Sequence, residues 1–97
     1  MDDLSVIFGT KGKFKILKTL LEEEETNISS LLREVRISYP LAIKYLSELE
    51  KEGLIKQKRF GRIRIISLEN NRSTRILKNF LIEWKNSKEE RVGKGFG

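Results

Sequence analysis

Apolar residues recur along this chain with two different spacings, and the change from one to the other falls at Gly53. Upstream, the spacing is helical. A short apolar prelude, Leu4-Ser5-Val6-Ile7-Phe8, leads to Gly9-Thr10, where Thr10 is a natural N-cap. Phe14, Leu17 and Leu21, with Ile16 and Leu20 beside them, then predict a first helix over Lys11–Glu24. Thr26-Asn27 supplies the next cap, and Ile28, Leu31, Leu32 and Val35 predict a short second helix ending near Arg36. Ser38 caps a third helix, with Pro40 in its first turn, where the missing N–H costs nothing, and Gly53 stops it just after Glu52. The acidic run Glu22 to Glu25 lies at the unfavourable end of the first helix dipole, so a frayed, solvated helix end with no binding role is expected there.

Downstream of Gly53 the pattern becomes extended. Leu54 to Arg59 and Ile63 to Leu68 are separated by Phe60-Gly61 and read as a β-hairpin with Gly61 at its turn. Asn70-Asn71 breaks this segment, and a last helix over about 73–88 carries Ile76, Leu77, Phe80, Leu81 and Trp84 at spacings of three, four and seven. The expected fold is mainly α with a small β-hairpin and an additional C-terminal helix. Residues 1–90 form one domain and the glycine-rich stretch 91–97 a flexible tail.

Composition narrows the chemistry. With 97 residues and an apolar share of 38%, the chain supports one modest core. It contains no Cys and no His, which excludes disulfides and thiolate or imidazole metal sites and removes the commonest general base. Neither a metal, a cofactor nor a catalytic residue is assigned, and the carboxylates sit at helix ends and on open faces without a paired nucleophile. The longest apolar runs fall far short of the roughly 18 residues of a membrane span, and no signal-peptide pattern opens the chain. The expectation is a soluble cytoplasmic protein with no membrane partner. Its wealth of Lys, Glu and Ile is the composition of heat-adapted proteins.

The charge of +6 is divided unevenly: up to Gly53 there are 8 Lys and Arg against 10 acidic residues, and beyond it 12 against 4, a net −2 and +8. Basic charge gathered in one part of a small domain points to a polyanionic partner, because neutralising phosphates releases condensed counterions; a basic surface kept for solubility is the alternative.

Three helices followed by a basic hairpin is the order of a winged helix-turn-helix, in which a tight turn pushes the third helix outward to meet a DNA major groove. The segments "FGTKGKFKIL", "LSELEKEGLI" and "GRIRIISLENN" together resemble the archaeal winged-helix regulators related to the ArsR and MarR groups, over Phe8 to Trp84. The resemblance implies a transcriptional regulator associated with the nucleoid, with double-stranded DNA and a second copy of itself as partners.

At 100° per residue, Ala42, Leu46 and Leu49 share the inner side of the third helix, Leu41, Lys44 and Glu48 the outer, and Tyr45 and Ser47 the flanks. These outer and flanking residues, with Ser38 and Tyr39 at the helix start, are the expected neighbours of base edges. Leu41 and Ile43 stand where similar regulators commonly have hydroxyl or small polar residues. Thymine-methyl contact, shape readout and a protein contact are therefore all compatible with this helix. In the hairpin, Lys56, Lys58, Arg59, Arg62 and Arg64 are expected to hold phosphates or enter the minor groove, with Arg62 and Arg64 on one side by strand alternation. Edge-strand protection is the other reading. Lys11, Lys13, Lys15 and Lys18 of the first helix read as a solvated face.

The stripe Ile76, Leu77, Phe80, Leu81 and Trp84 is expected to form a homodimer interface, which the N-terminal prelude could extend; the alternative is packing on the first helix. Three functions fit these features. The leading one is a homodimeric regulator that prefers particular DNA sequences. The others are a winged-helix adaptor of transcription or replication machinery and a non-specific chromatin-type protein. No effector is assigned.

Overall fold

A computed structural model describes the backbone of residues 9–95 and the side chains of residues 9–90. The elements follow as α1 (Lys11–Glu23), β1 (Glu25–Asn27), α2 (Ile28–Val35), α3 (Tyr39–Lys51), β2 (Ile55–Phe60), β3 (Ile63–Leu68) and α4 (Arg72–Gly95). The apolar prelude Leu4 to Phe8 lies outside the described residues, as do the side chains of the tail. Helix α4 continues to Gly95, beyond the Lys88 at which its apolar stripe predicts an end.

Helix boundaries follow the caps named from sequence. The hydroxyl of Thr10 accepts from Lys13 N, the Asn27 side chain from Ser30 N, and the Ser38 hydroxyl from Leu41 N, each satisfying an otherwise orphaned donor of a first turn. The C-terminal end of α1 does not fray. Glu24 takes the left-handed conformation (φ 69°) and donates its N–H to Leu20 O, and its own carbonyl accepts from Leu68 N at 2.8 Å.

This closure creates an element absent from the sequence reading. Glu25–Asn27 forms a third strand, antiparallel to β3, with Thr26 opposite Ile66, so the hairpin is part of a three-stranded sheet of order β1-β3-β2. Three residues are too few to show strand alternation, and Asn27 serves both this strand and the α2 cap.

One core joins the helices to one face of the sheet. Ile16, Leu17 and Leu20 of α1 meet Leu31 and Val35 of α2, Ala42, Leu46 and Leu49 of α3, and Leu54, Ile55 and Ile66 at the sheet. Leu81 of α4 joins this cluster, and Leu77 packs partly buried against it. Helix α4 begins with a reciprocal cap: Thr74 N donates to Asn71 Oδ1 at 3.0 Å, and Asn71 N donates to Thr74 Oγ1 at 3.1 Å.

Candidate nucleic-acid interface

The link between α2 and α3 is three residues long, Arg36-Ile37-Ser38, and Arg36 is left-handed (φ 55°). This abrupt reversal buries one side of α3 and turns the other to solvent. Tyr39, Leu41, Lys44, Ser47 and Lys51 are exposed, whereas Ala42, Leu46 and Leu49 are fully buried. Ser38 is exposed and its hydroxyl is engaged in the cap.

Two residues assigned to the outer surface belong elsewhere. Tyr45 is 9% exposed and faces α1, where a Cβ added to Gly12 would come within 3.0 Å of its ring. Glu48 is half-buried and paired with Lys13 of α1 at 2.5 Å. Lys13 also lies over the Tyr45 ring, 5.8 Å from its centroid. Lys13 is thus not part of a solvated face; its side chain is 8% exposed, and only Lys11, Lys15 and Lys18 of that set lie in solvent. Hydrogen bonding from Lys13 holds the Glu48 carboxyl below the ordinary carboxylate range, with a smaller pull from the charges of Lys13, Lys44 and Lys51. One of the two carboxylate oxygens of Glu48 is thus already engaged within the chain.

Lys44, Ser47 and Lys51 fall within about 60° around the α3 axis. Glu48 borders this arc on the α1 side. On the other border, Glu50 accepts from Gln57 Nε2 of β2 at 2.9 Å, and Gln57 Oε1 accepts from Arg64 Nη1 of β3 at 3.3 Å. The Glu50–Gln57–Arg64 chain joins the recognition-type helix to the hairpin, so the polar arc of α3 and the near face of the wing form one surface.

Pairing across the hairpin sets its two faces. Arg59 stands opposite Arg64 and Gln57 opposite Ile66, on the face toward α3; Lys58 stands opposite Ile65 and Lys56 opposite Ser67, on the other. The five cations therefore divide between two faces. Arg62 does not alternate with Arg64, because it sits with Gly61 (φ 62°) in the two-residue turn closed by Phe60 and Ile63, the φ pattern of a type II′ hairpin. Among the described residues the ion pairs are Lys13–Glu48, Lys78–Glu24 and Lys85–Glu22, and none uses a hairpin cation.

The last two of these pairs give the acidic run a function that composition did not suggest. Glu22 and Glu24 hold Lys85 and Lys78, clamping α4 to the end of α1. Under that clamp, Leu81 is 9% exposed and Leu77 half-buried, both against the body of the same chain. These two residues thus take the packing alternative and leave the dimer stripe. Ile76, Phe80 and Trp84 face outward, Phe80 and Trp84 stacked at 6.1 Å and Lys88 over the Trp84 ring. Among the described residues no helix is long and apolar enough to cross a membrane.

A capped helix pair joined by a three-residue turn, followed by a sheet-borne hairpin, defines a winged helix-turn-helix. A family model described as winged helix-turn-helix DNA-binding matches residues 13–56, from α1 into β2. Among curated proteins, no sequence matches this chain. Solved structures with this fold come from the MarR and ArsR families, among others. NadR, in complex with 4-hydroxyphenylacetate, is 20% identical with a TM-score of 0.73, covering 97% of this chain and 67% of its own. A MarR protein from Peptoclostridium difficile is 18% identical with a TM-score of 0.70, covering 97% of this chain and 62% of its own. A transcriptional regulator homologue from Pyrococcus horikoshii OT3 is 20% identical with a TM-score of 0.67, covering 89% and 88%. At such identities the shared feature is the fold, and the matched family model adds a DNA-binding description for residues 13–56. The Pyrococcus chain is a neighbour from an archaeon.

Proposed function

We propose that this protein is a homodimeric transcriptional regulator that binds duplex DNA with a sequence preference. Tyr39, Leu41, Lys44 and Ser47 of α3 lie in the major groove in this reading, and Arg59, Arg62 and Arg64 lie on the phosphates or in the adjacent minor groove. Lys56 and Lys58, on the far face of the wing, add long-range attraction. The carrying observation is the Glu50–Gln57–Arg64 chain, which fixes the wing beside the exposed arc of α3 and leaves Lys56, Lys58, Arg59 and Arg62 without an internal ion pair among the described residues. Two α3 helices about 34 Å apart would meet successive turns of one duplex face. The outward stripe Ile76, Phe80 and Trp84 is the surface assigned to pairing. Cytoplasmic location and nucleoid association follow from this function.

Titration with random-sequence duplex at several salt concentrations tests the DNA arm. The wild type is expected to weaken steeply with salt. Arg59→Ala with Arg62→Ala is expected to weaken binding to all sequences and flatten the salt slope by about two, one per lost phosphate contact. Unchanged affinity and slope in the variant remove the wing from the mechanism. Selection from a random pool then reads the preference, and an enriched palindrome is the expected product of a two-fold dimer. For pairing, Phe80→Glu with Trp84→Glu is expected to halve the solution mass, and an unchanged mass eliminates the assigned stripe.

A further inference from the structure

The tip of the wing carries an apolar pair that neither the core nor the phosphate contacts account for. Phe60 and Ile63 stand opposite each other in the ladder, flanking the Gly61-Arg62 turn, and are 62% and 57% exposed. Cross-strand partners project to the same face with Cβ atoms about 5 Å apart, so the two form one small apolar blade at the end of the ribbon. Arg59 and Arg62 beside it are exposed and in no ion pair among the described residues. The blade belongs to the ribbon face turned away from α3, where Lys58 and Ile65 continue it along a shallow groove that Glu24 and Glu25 also line, so it is the end of the ribbon and not its side that it shares with Arg62.

This juxtaposition selects its partner. An apolar protein surface that covered Phe60 and Ile63 would have to strip water from the neighbouring guanidinium groups without compensation. Duplex DNA offers both chemistries at once, with apolar base faces between two anionic rails. The minor groove, about 6 Å wide, is too narrow for the ribbon as a whole, so only the side chains at its tip can enter.

We propose that the wing tip is a DNA-deforming wedge: Phe60 and Ile63 enter the minor groove beside the site met by α3 and prise open a base step, while Arg59 and Arg62 hold the flanking phosphates. The proposal rests on the DNA-binding reading above and adds an activity to it. An inserted apolar pair partly unstacks the step and bends the duplex toward the major groove. It also favours pyrimidine–purine steps, which unstack most cheaply, so part of the sequence preference arises at base pairs that no hydrogen bond reads.

The test uses the full chain and a duplex selected for binding, with 2-aminopurine placed along the minor-groove flank and a donor–acceptor dye pair at its ends. Wild-type binding is expected to raise 2-aminopurine fluorescence at one step and to shorten the end-to-end distance. Phe60→Ala with Ile63→Ala, both at exposed positions, is expected to abolish the fluorescence rise and most of the shortening while leaving the salt slope unchanged. A variant that retains both signals overturns the wedge, and so does a variant that changes the solution mass of the protein, which would make the blade a protein contact. If the wild type binds no duplex at all, the DNA-binding reading itself falls, before the variant is compared.

Discussion

Helices α3 and α4 are both amphipathic with aromatic residues on an open side, yet the protein holds them very differently. Helix α3 is seated on Ala42, Leu46 and Leu49, pinned toward α1 by Lys13–Glu48 and tied to the sheet through Glu50–Gln57. Helix α4 is nearly twice as long, and between its cap and its far end it rests on Leu77, Leu81 and two surface ion pairs. The difference fits the two duties proposed for these helices. A helix whose side chains must meet a fixed lattice of bases has its rotation about its own axis defined from both sides. A helix that offers a surface to a second copy needs only an attachment at one end.

The largest expected effect on this contrast is in stability. Leu46→Ala should cost about 3 kcal/mol in urea unfolding, since the site is closed on all sides. Leu81→Ala at the margin should cost about 1–2 kcal/mol, because its neighbours can settle toward the gap. Equal losses would mean that α4 is as integral to the core as α3.

A smaller separation should appear between the ion pairs. Lys13→Met strands Glu48 against α1 and should lower both the melting temperature and the affinity for DNA. Lys78→Met and Lys85→Met remove pairs at the surface, each worth about 0.5 kcal/mol, and should leave DNA affinity unchanged. Thermal melts in high salt should mimic the second pair of variants and not the first. A Lys13 variant that melts and binds like the wild type would show that α3 needs no anchor on that side.

The smallest effects lie in the pH dependence. The folded Glu48 carboxyl titrates below its unfolded value, so its pair stabilises the protein fully above the unfolded pKa and the gain is lost as pH falls through the folded pKa. Lys13→Met should remove that acid-side decline. Glu23 has the opposite sign. Its hydrogen bond with Glu34, aided by partial desolvation and the charges of Glu34 and Glu22, raises its pKa, so the native state takes up a proton first and stability rises as pH falls through that raised pKa. Glu23→Gln should slightly raise the melting temperature at pH 7 and flatten this rise, and a decrease at pH 7 would reverse the assignment.

Caps and periodicity made most of this fold legible. Thr10, Asn27 and Ser38 each cap the helix assigned to them, and Gly53 and Gly61 take the positive φ that their positions require. The errors share a physical cause, namely side chains near the boundary between two faces. Helical projection puts Tyr45 and Glu48 on or near the open side of α3, but α1 passes close enough at Gly12 to cover one and ion-pair the other. Leu77 and Leu81 belong to the same stripe as Phe80 and Trp84, and only the position of α1 decides which half of that stripe is covered. Strand β1 and the pairs from Glu22 and Glu24 to α4 join residues more than 35 positions apart in sequence, beyond the reach of any local pattern.

Asn71 does more than open a helix. Its side-chain amide donates to the carbonyl of Gly53 at 2.8 Å, and Gly53 is where the chain leaves α3. The start of α4 is therefore tied to the exit of α3. From that start, 24 residues of helix extend about 36 Å, so a difference of about 10° in its direction would move the far end by about 6 Å. In the proposed dimer, the spacing of the two α3 helices would follow the direction that this capped start and the Leu77 and Leu81 contacts give to α4.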